Sequence, residues 1–188
     1  MTSSVTRYEW MQHVATATRA LHGLVKPTVA AVDGVAVGAG MNLALGCDVV
    51  IATDRARFSE IFVRRGLTVD FGGTWLLPRL VGLARAKELA LTGRIVGGEE
   101  ALDLGLVAQV VAPGELMQAA AAVADELAAA APIAQRFVKE GMDRSHEMSF
   151  EEALEFESLA QVTCMGSEDV VEGITSFIEK RDPEFRGR

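Results

Sequence analysis

Between Lys26 and Ala52 the chain reads Lys26-Pro-Thr-Val-Ala-Ala-Val-Asp-Gly-Val-Ala-Val-Gly-Ala-Gly-Met-Asn-Leu-Ala-Leu-Gly-Cys-Asp48-Val-Val-Ile-Ala, and few folds accommodate such a run. The pattern predicts a buried strand over 28–32, a glycine-rich turn carrying Gly34, Gly38 and Gly40, a short helix of small residues, and a second buried strand from Asp48. Gly38, Ala39 and Gly40 carry almost no side chain, so a ligand can approach the backbone there. The first N–H groups of the following helix have no carbonyl partner within it. Such donors, at the positive end of a helix dipole, can hold a phosphate or an oxygen that gains negative charge during a reaction.

Three other readings of this turn compete with that one. A dinucleotide fingerprint fails because Leu43 stands where the third glycine of G-x-G-x-x-G belongs, although Asp54 closes the next strand as a ribose-binding acid would. The intervening helix is also short for a parallel crossover, which needs about a dozen residues or more. A phosphate-binding P-loop fails because no Gly-Lys-Ser/Thr follows. The third reading, that the glycines only let helix and strand pack closely, stays open at this point.

Bulk properties narrow the classes. With 188 residues, 49% of them hydrophobic, the chain can bury one sizeable core, with or without a helical appendage. A net charge of −8 and the lack of any Lys/Arg cluster argue against nonspecific nucleic-acid binding. No apolar run reaches the roughly 18 residues of a membrane span, so no membrane association and a cytoplasmic location are expected. Cys47 and Cys164 fit no metal-ligand spacing and read as reduced core thiols. His13, His22 and His146 lie near no motif.

Along the chain, a helix is expected over 5–24, with Trp10, Val14, Ala17 and Leu21 at helical spacing. The segment 58–65 and the loop 66–73 lead into helices near 74–80 and 84–91. A short helix over 99–104 precedes a strand over 107–111. From Pro113 the composition turns helical, which divides the chain into an α/β core, residues 1–112, and a helical region, residues 113–188.

Four segments carry a resemblance: Pro27 to Asp48; Gly66-Leu-x-x-Asp-x-Gly72-Gly-Thr-x-x-Leu-Pro78-Arg-x-x-Gly; Leu91-Thr-Gly-Arg with Glu100-Ala-x-x-x-Gly105-Leu-Val; and Glu172-Gly-Ile-x-x-Phe-x-Glu-Lys180-Arg. In these the chain resembles the enoyl-CoA hydratase/isomerase (crotonase) superfamily. The resemblance implies an α/β fold, a spiral of ββα units with a C-terminal helical region that builds trimers, often paired into hexamers. It implies an acyl-CoA substrate, coenzyme A entering as part of that substrate and no prosthetic group or metal. It also implies that a thioester enolate is stabilised by two backbone amides, one of them the Ala39 N–H, with Val37 and Gly38 lining the substrate. Phe177 and Lys180 match positions that contact the adenine and phosphates of coenzyme A, and Phe62 and Trp75 positions near the acyl chain.

The resemblance separates two chemistries. Hydration uses two glutamates, whose positions hold Asn42 and Phe62 here; Asn does not titrate and Phe carries no acidic proton, so neither can act as a general acid or base. Isomerases of the family carry a catalytic aspartate where this chain has Asp70, and one carboxylate suffices to move a double bond. An apolar setting from Phe62, Val69, Phe71 and Trp75 would raise its pKa. The alternative for Asp70 is capping of the helix that starts near residue 71 or 72. Asn42 is carried as a substrate-binding position, its amide either orienting substrate or, the favoured reading, satisfying helix backbone groups, and Glu60 is a lesser alternative base.

Nothing between Met1 and Lys26 resembles the early strands and the Ala-Asp segment that supply the family's second oxyanion amide, so the chain matches roughly the last two-thirds to three-quarters of a typical member. A shortened reading frame or a fragment-like paralogue is expected. An isomerase using Asp70 and Ala39 leads; a hydratase, and a catalytically weak CoA-thioester binder or assembly paralogue, are the alternatives.

Overall fold

The computed structural model describes residues 3–188. They form two compact units, one of residues 3–24 and 28–122, the other of residues 25–27 and 123–188.

The first unit is built from a repeating turn of chain. Strand β1 (Val29–Val32) is followed after two residues by β2 (Val35–Val37), then by helix α2 (Ala39–Leu45). The next turn repeats this with β3 (Val49–Thr53), β4 (Arg57–Ser59), a 3₁₀ turn (Ile61–Arg65) and helix α3 (Gly73–Thr92). A third, shorter pass adds β5 (Val96–Gly97), α4 (Gly98–Asp103) and β6 (Gln109–Val111). Each pass therefore contributes strands to two three-stranded sheets, ordered β1-β3-β6 and β2-β4-β5. Successive passes stack in parallel, Val29 opposite Val49 and Val35 opposite Arg57, and β5 alone runs antiparallel to its neighbour.

The apolar pattern explains this arrangement. Strand β3 lies between two parallel neighbours, and Val50, Ile51, Ala52 and Thr53 are all buried, as a strand covered on both faces requires. Phe58, Met41, Leu45, Leu77, Leu89 and Val96 close the core around it. The corners between paired strands are polar and tied to one another. Asp33 accepts a hydrogen bond from Thr53 Oγ1 at 2.9 Å and pairs with the Arg55 guanidinium, which holds its carboxyl down at about 2.

Several boundaries agree closely with the sequence reading, and others do not. Helix α1 spans Ser4–His22, but it buries no residue, and Trp10 stays 68% exposed. The helices expected near 74–80 and 84–91 are the two halves of α3, broken at Gly82, whose φ of 73° and ψ of 157° are non-helical. Strands β2 and β5 were not anticipated; they are three and two residues long, too short for a periodic signal.

In the second unit, helices α6 (Pro132–Arg144) and α7 (Phe150–Met165) meet through an edge-to-face pair, Phe137 and Phe156, 6.3 Å apart. Helix α5 (Leu116–Ala129) precedes them and α8 (Glu168–Glu179) follows. Ser149 and Glu152 form a capping box at the start of α7. Past α8 the chain returns, and the buried Asp169 carboxylate accepts from the backbone N–H groups of Arg186 and Gly187 at 2.7 and 2.8 Å. Among the described residues no single helix is long and apolar enough to cross a membrane.

Candidate active site

The glycine turn joins β2 to α2. Gly38 has φ 55° and ψ −127°, a conformation that side-chain-bearing residues avoid, and it precedes the first helical residue, Ala39. Its own N–H is spent on the Ser59 carbonyl at 2.8 Å, which fixes the turn against the end of β4. Helix α2 has no side-chain cap. Among the described residues the N–H groups of Ala39 and Gly40 make no backbone hydrogen bond to another element, and both residues are exposed. The turn thus presents unpaired donors at an accessible place.

Phe62 lies beneath this turn. It is 7% exposed, and a Cβ added at Gly38 would meet its ring at 3.3 Å. The ring packs under the glycine and offers no proton.

One helical turn beyond Ala39, the fully buried Asn42 points its carboxamide away from its own helix. Its Nδ2 donates to the Asp70 backbone carbonyl at 2.9 Å and to Glu60 Oε2 at 3.4 Å. The expectation that Asn42 satisfies helix backbone groups is therefore overturned: it ties α2 to the Asp70 loop. The carboxamide lies against Gly73, where an added Cβ would fall 2.3 Å from Nδ2.

The Asp70 loop enters α3 through two consecutive left-handed residues, Phe71 at φ 51° and Gly72 at φ 82°. A left-handed phenylalanine is strained, and such strain gathers where geometry is held for a purpose. Gly72 is the N-cap of α3 and no side chain caps the helix, so Asp70 does not cap it. Instead its Oδ1 is buried without a hydrogen-bond partner, and burial raises the carboxyl above its ordinary range.

Glu60, two residues before Phe62, is the functional candidate that sequence reasoning undervalued. It is 1% exposed, its Oε1 has no partner, and its pKa is pushed up to about 7, chiefly by burial and further by the nearby Asp70 charge, against the opposing effect of Asn42. Asn42 Oδ1 is likewise buried and unpartnered. Only its place next to a strand carrying Phe58 and Ser59 hinted in the sequence that Glu60 points inward.

The remaining candidates fall into two groups. Val37 closes β2 opposite Ser59, beside the glycine turn. Trp75 stands on the first turn of α3, half-buried, with the Arg79 guanidinium 3.8 Å above its ring and His22 edge-on at 5.0 Å. Its surroundings are thus partly polar. Beside the Asp70 loop, Val69, Gly73, Leu77, Leu83 and Ala90 line a largely apolar cavity of about 520 Å³. Phe177 and Lys180 belong to the second unit, at the end of α8; both are exposed, and Lys180 ends the helix in a left-handed conformation.

A spiral of ββα turns that presents free amides from a glycine turn, with a buried acid cluster tied to the same helix, defines a protein class rather than a single activity. The chain belongs to the enoyl-CoA hydratase/isomerase family, whose model matches residues 6–188. It is similar to the short-chain-enoyl-CoA hydratase of Clostridium acetobutylicum, 43% identical over 171 residues, which cover 90% of this chain and 66% of that protein. It is also similar to the 1,2-epoxyphenylacetyl-CoA isomerase of Escherichia coli, 40% identical over 170 residues, covering 90% and 65%. Among solved structures, an enoyl-CoA hydratase from Bacillus anthracis superposes with a TM-score of 0.95 at 33% identity, over 100% of this chain and 72% of that one. The chain spans just under two-thirds of the length of the curated relatives it matches.

Proposed function

We propose that the chain acts on acyl-CoA thioesters, as an enoyl-CoA double-bond isomerase. The Ala39 N–H holds the thioester oxygen as it becomes an enolate, and Asp70 takes a proton from one carbon of the acyl chain and returns it two carbons away. Fixed amide dipoles stabilise such an oxyanion without reorganising, and one donor is worth about 10²- to 10³-fold in rate. Asp70 is a base of suitable strength because burial raises its proton affinity. The apolar cavity beside its loop suits a hydrocarbon acyl group. Exposed Phe177 and Lys180 suit the adenine ring and phosphates of coenzyme A, by stacking and as a point cation. Assembly into a trimer or hexamer belongs to the same reading.

The observation that carries the choice is the pair Asn42 and Phe62. Hydration asks for a water activated by carboxylates, and here one position is an amide bound to Asp70 and Glu60 while the other is a ring packed on Gly38. The hydratase alternative rests on the names of relatives such as the C. acetobutylicum protein. A 3-enoyl-CoA assay separates them: isomerisation gives the conjugated 2-enoyl thioester at unchanged mass, hydration a product heavier by one water. Turnover of Asp70→Asn at the wild-type rate would refute the assigned base.

A further inference from the structure

Three polar oxygens without partners gather where α2 meets the Asp70 loop: Asn42 Oδ1, Glu60 Oε1 and Asp70 Oδ1. As charged or amide oxygens all three are acceptors, and a buried acceptor cluster with no donor is costly. Asn42 Nδ2 reaches Glu60 only at Oε2, which leaves Oε1 as the oxygen that can carry a proton. A proton there replaces one of three acceptors by a donor and removes one of two like charges from the pocket.

We propose that Glu60 is a positioning residue that works as a neutral carboxylic acid: through Asn42 it anchors the loop bearing Asp70, and by staying uncharged it leaves Asp70 the pocket's single negative charge. This rests on the reading of Asp70 as the base. Glu60 itself is sealed from any ligand, at 1% exposure, so it acts through its neighbours. The groups around it fit this role. Asn42 on α2 is neutral, Asp70 is the one group whose charge raises its proton affinity, and Arg64 on the following 3₁₀ turn gives its guanidinium to the Thr92 carbonyl instead. An ionised Glu60 would set a second negative charge beside Asp70.

The test uses the full chain, infrared spectroscopy with ¹³C-glutamate labelling, and 3-enoyl-CoA kinetics. A protonated carboxylic-acid band should be present at pH 6, titrate near pH 7, be absent in Glu60→Gln, and titrate at lower pH in Asp70→Asn, where the like charge is gone. Glu60→Gln, which keeps an acceptor for Asn42 but cannot ionise, should give a kcat that no longer declines between pH 6 and pH 8, where the wild-type kcat falls. Glu60→Leu removes the acceptor; a misplaced loop should then lower kcat about 10- to 100-fold at every pH with little change in KM. Lack of the acid band at pH 6, or a band that survives Glu60→Gln, overturns the proposal. Because the band is read without substrate, a fully active Asp70→Asn would refute the base and leave the protonation result standing.

Discussion

Replacing Gly73 by alanine tests the geometry on which the site depends. Gly73 is the first residue of α3 and has an ordinary helical conformation, so alanine meets no backbone penalty and gains up to about 1 kcal/mol of helix propensity. Its Cβ, however, would lie 2.3 Å from Asn42 Nδ2 and 2.6 Å from both Cγ and Oδ1. The side chain of Asn42 must therefore retreat by about 1 Å to regain van der Waals distance. That retreat carries Nδ2 out of bonding range of the Asp70 carbonyl, now at 2.9 Å, and further from Glu60. Overpacking costs about 1–3 kcal/mol and an unsatisfied buried amide about 1–3 more. Set against the propensity gain, Gly73→Ala should destabilise the protein by about 1–5 kcal/mol. Urea denaturation followed by tryptophan fluorescence is the assay, since Trp10 and Trp75 both lie in the first unit. A double-mutant cycle isolates the cause: in an Asn42→Ala background the clash partner is gone, and Gly73→Ala should be neutral or stabilising. Equal destabilisation in both backgrounds would refute the argument.

Other outcomes follow from the same contacts. Ala39→Pro removes the proposed oxyanion donor at a first helical position that tolerates proline, and should lower kcat about 10²- to 10³-fold with the urea midpoint little changed. Glu60 holds its proton up to about 7 against an ordinary 4.5, so its stabilising contribution is complete below 4.5 and lost as pH rises to about 7. At about 1.4 kcal/mol per pH unit this is at most about 3 kcal/mol, and the difference in urea stability between pH 5 and pH 7.5 should shrink by that order in Glu60→Gln. Phe177→Ala, at an exposed ring, should raise KM for a CoA thioester while leaving thermal stability near wild type.

The fold was legible where a signal was long or punctuated. The buried run from Val50 to Thr53 and the glycine turn read directly, because a central parallel strand is covered on both faces and a positive φ selects glycine. Strands of two or three residues, such as β2 and β5, leave no periodicity to detect, whereas the apolar spacing of α1 revealed the helix without saying whether anything covers it. In the site, the residue types at Asn42, Phe62 and Asp70 were legible, but their partners were not. The bond from Asn42 to the Asp70 carbonyl joins residues 28 apart, and the choice between capping and a buried carboxylate at Asp70 turns on loop dihedrals at Phe71 and Gly72. Glu60 was underrated for the same reason, since burial of a glutamate is settled by what packs around it.

These contacts also explain why the cluster and the glycine turn form one device. Ala39 and Asn42 occupy the same short helix, so whatever fixes Asn42 fixes the amide. Asn42 is held at one end by the Asp70 carbonyl and the Glu60 carboxyl, and Gly38 is held at the other by the Ser59 carbonyl above the Phe62 ring. Ser59 in turn donates its hydroxyl to the Gly93 carbonyl at the end of α3, while Gly73 at its start lies under Asn42. Both ends of α3 therefore brace the segment that runs from the donor to the carboxylate. A change in the Asn42–Gly73 contact should consequently impair rate even though neither residue moves a proton. Gly73→Ala should lower kcat by about 10²-fold, the loss expected of a 1 Å misplacement, and do so more than it raises KM. A Gly73→Ala protein that is destabilised yet turns over 3-enoyl-CoA at the wild-type rate would separate the packing from the chemistry and undo that link.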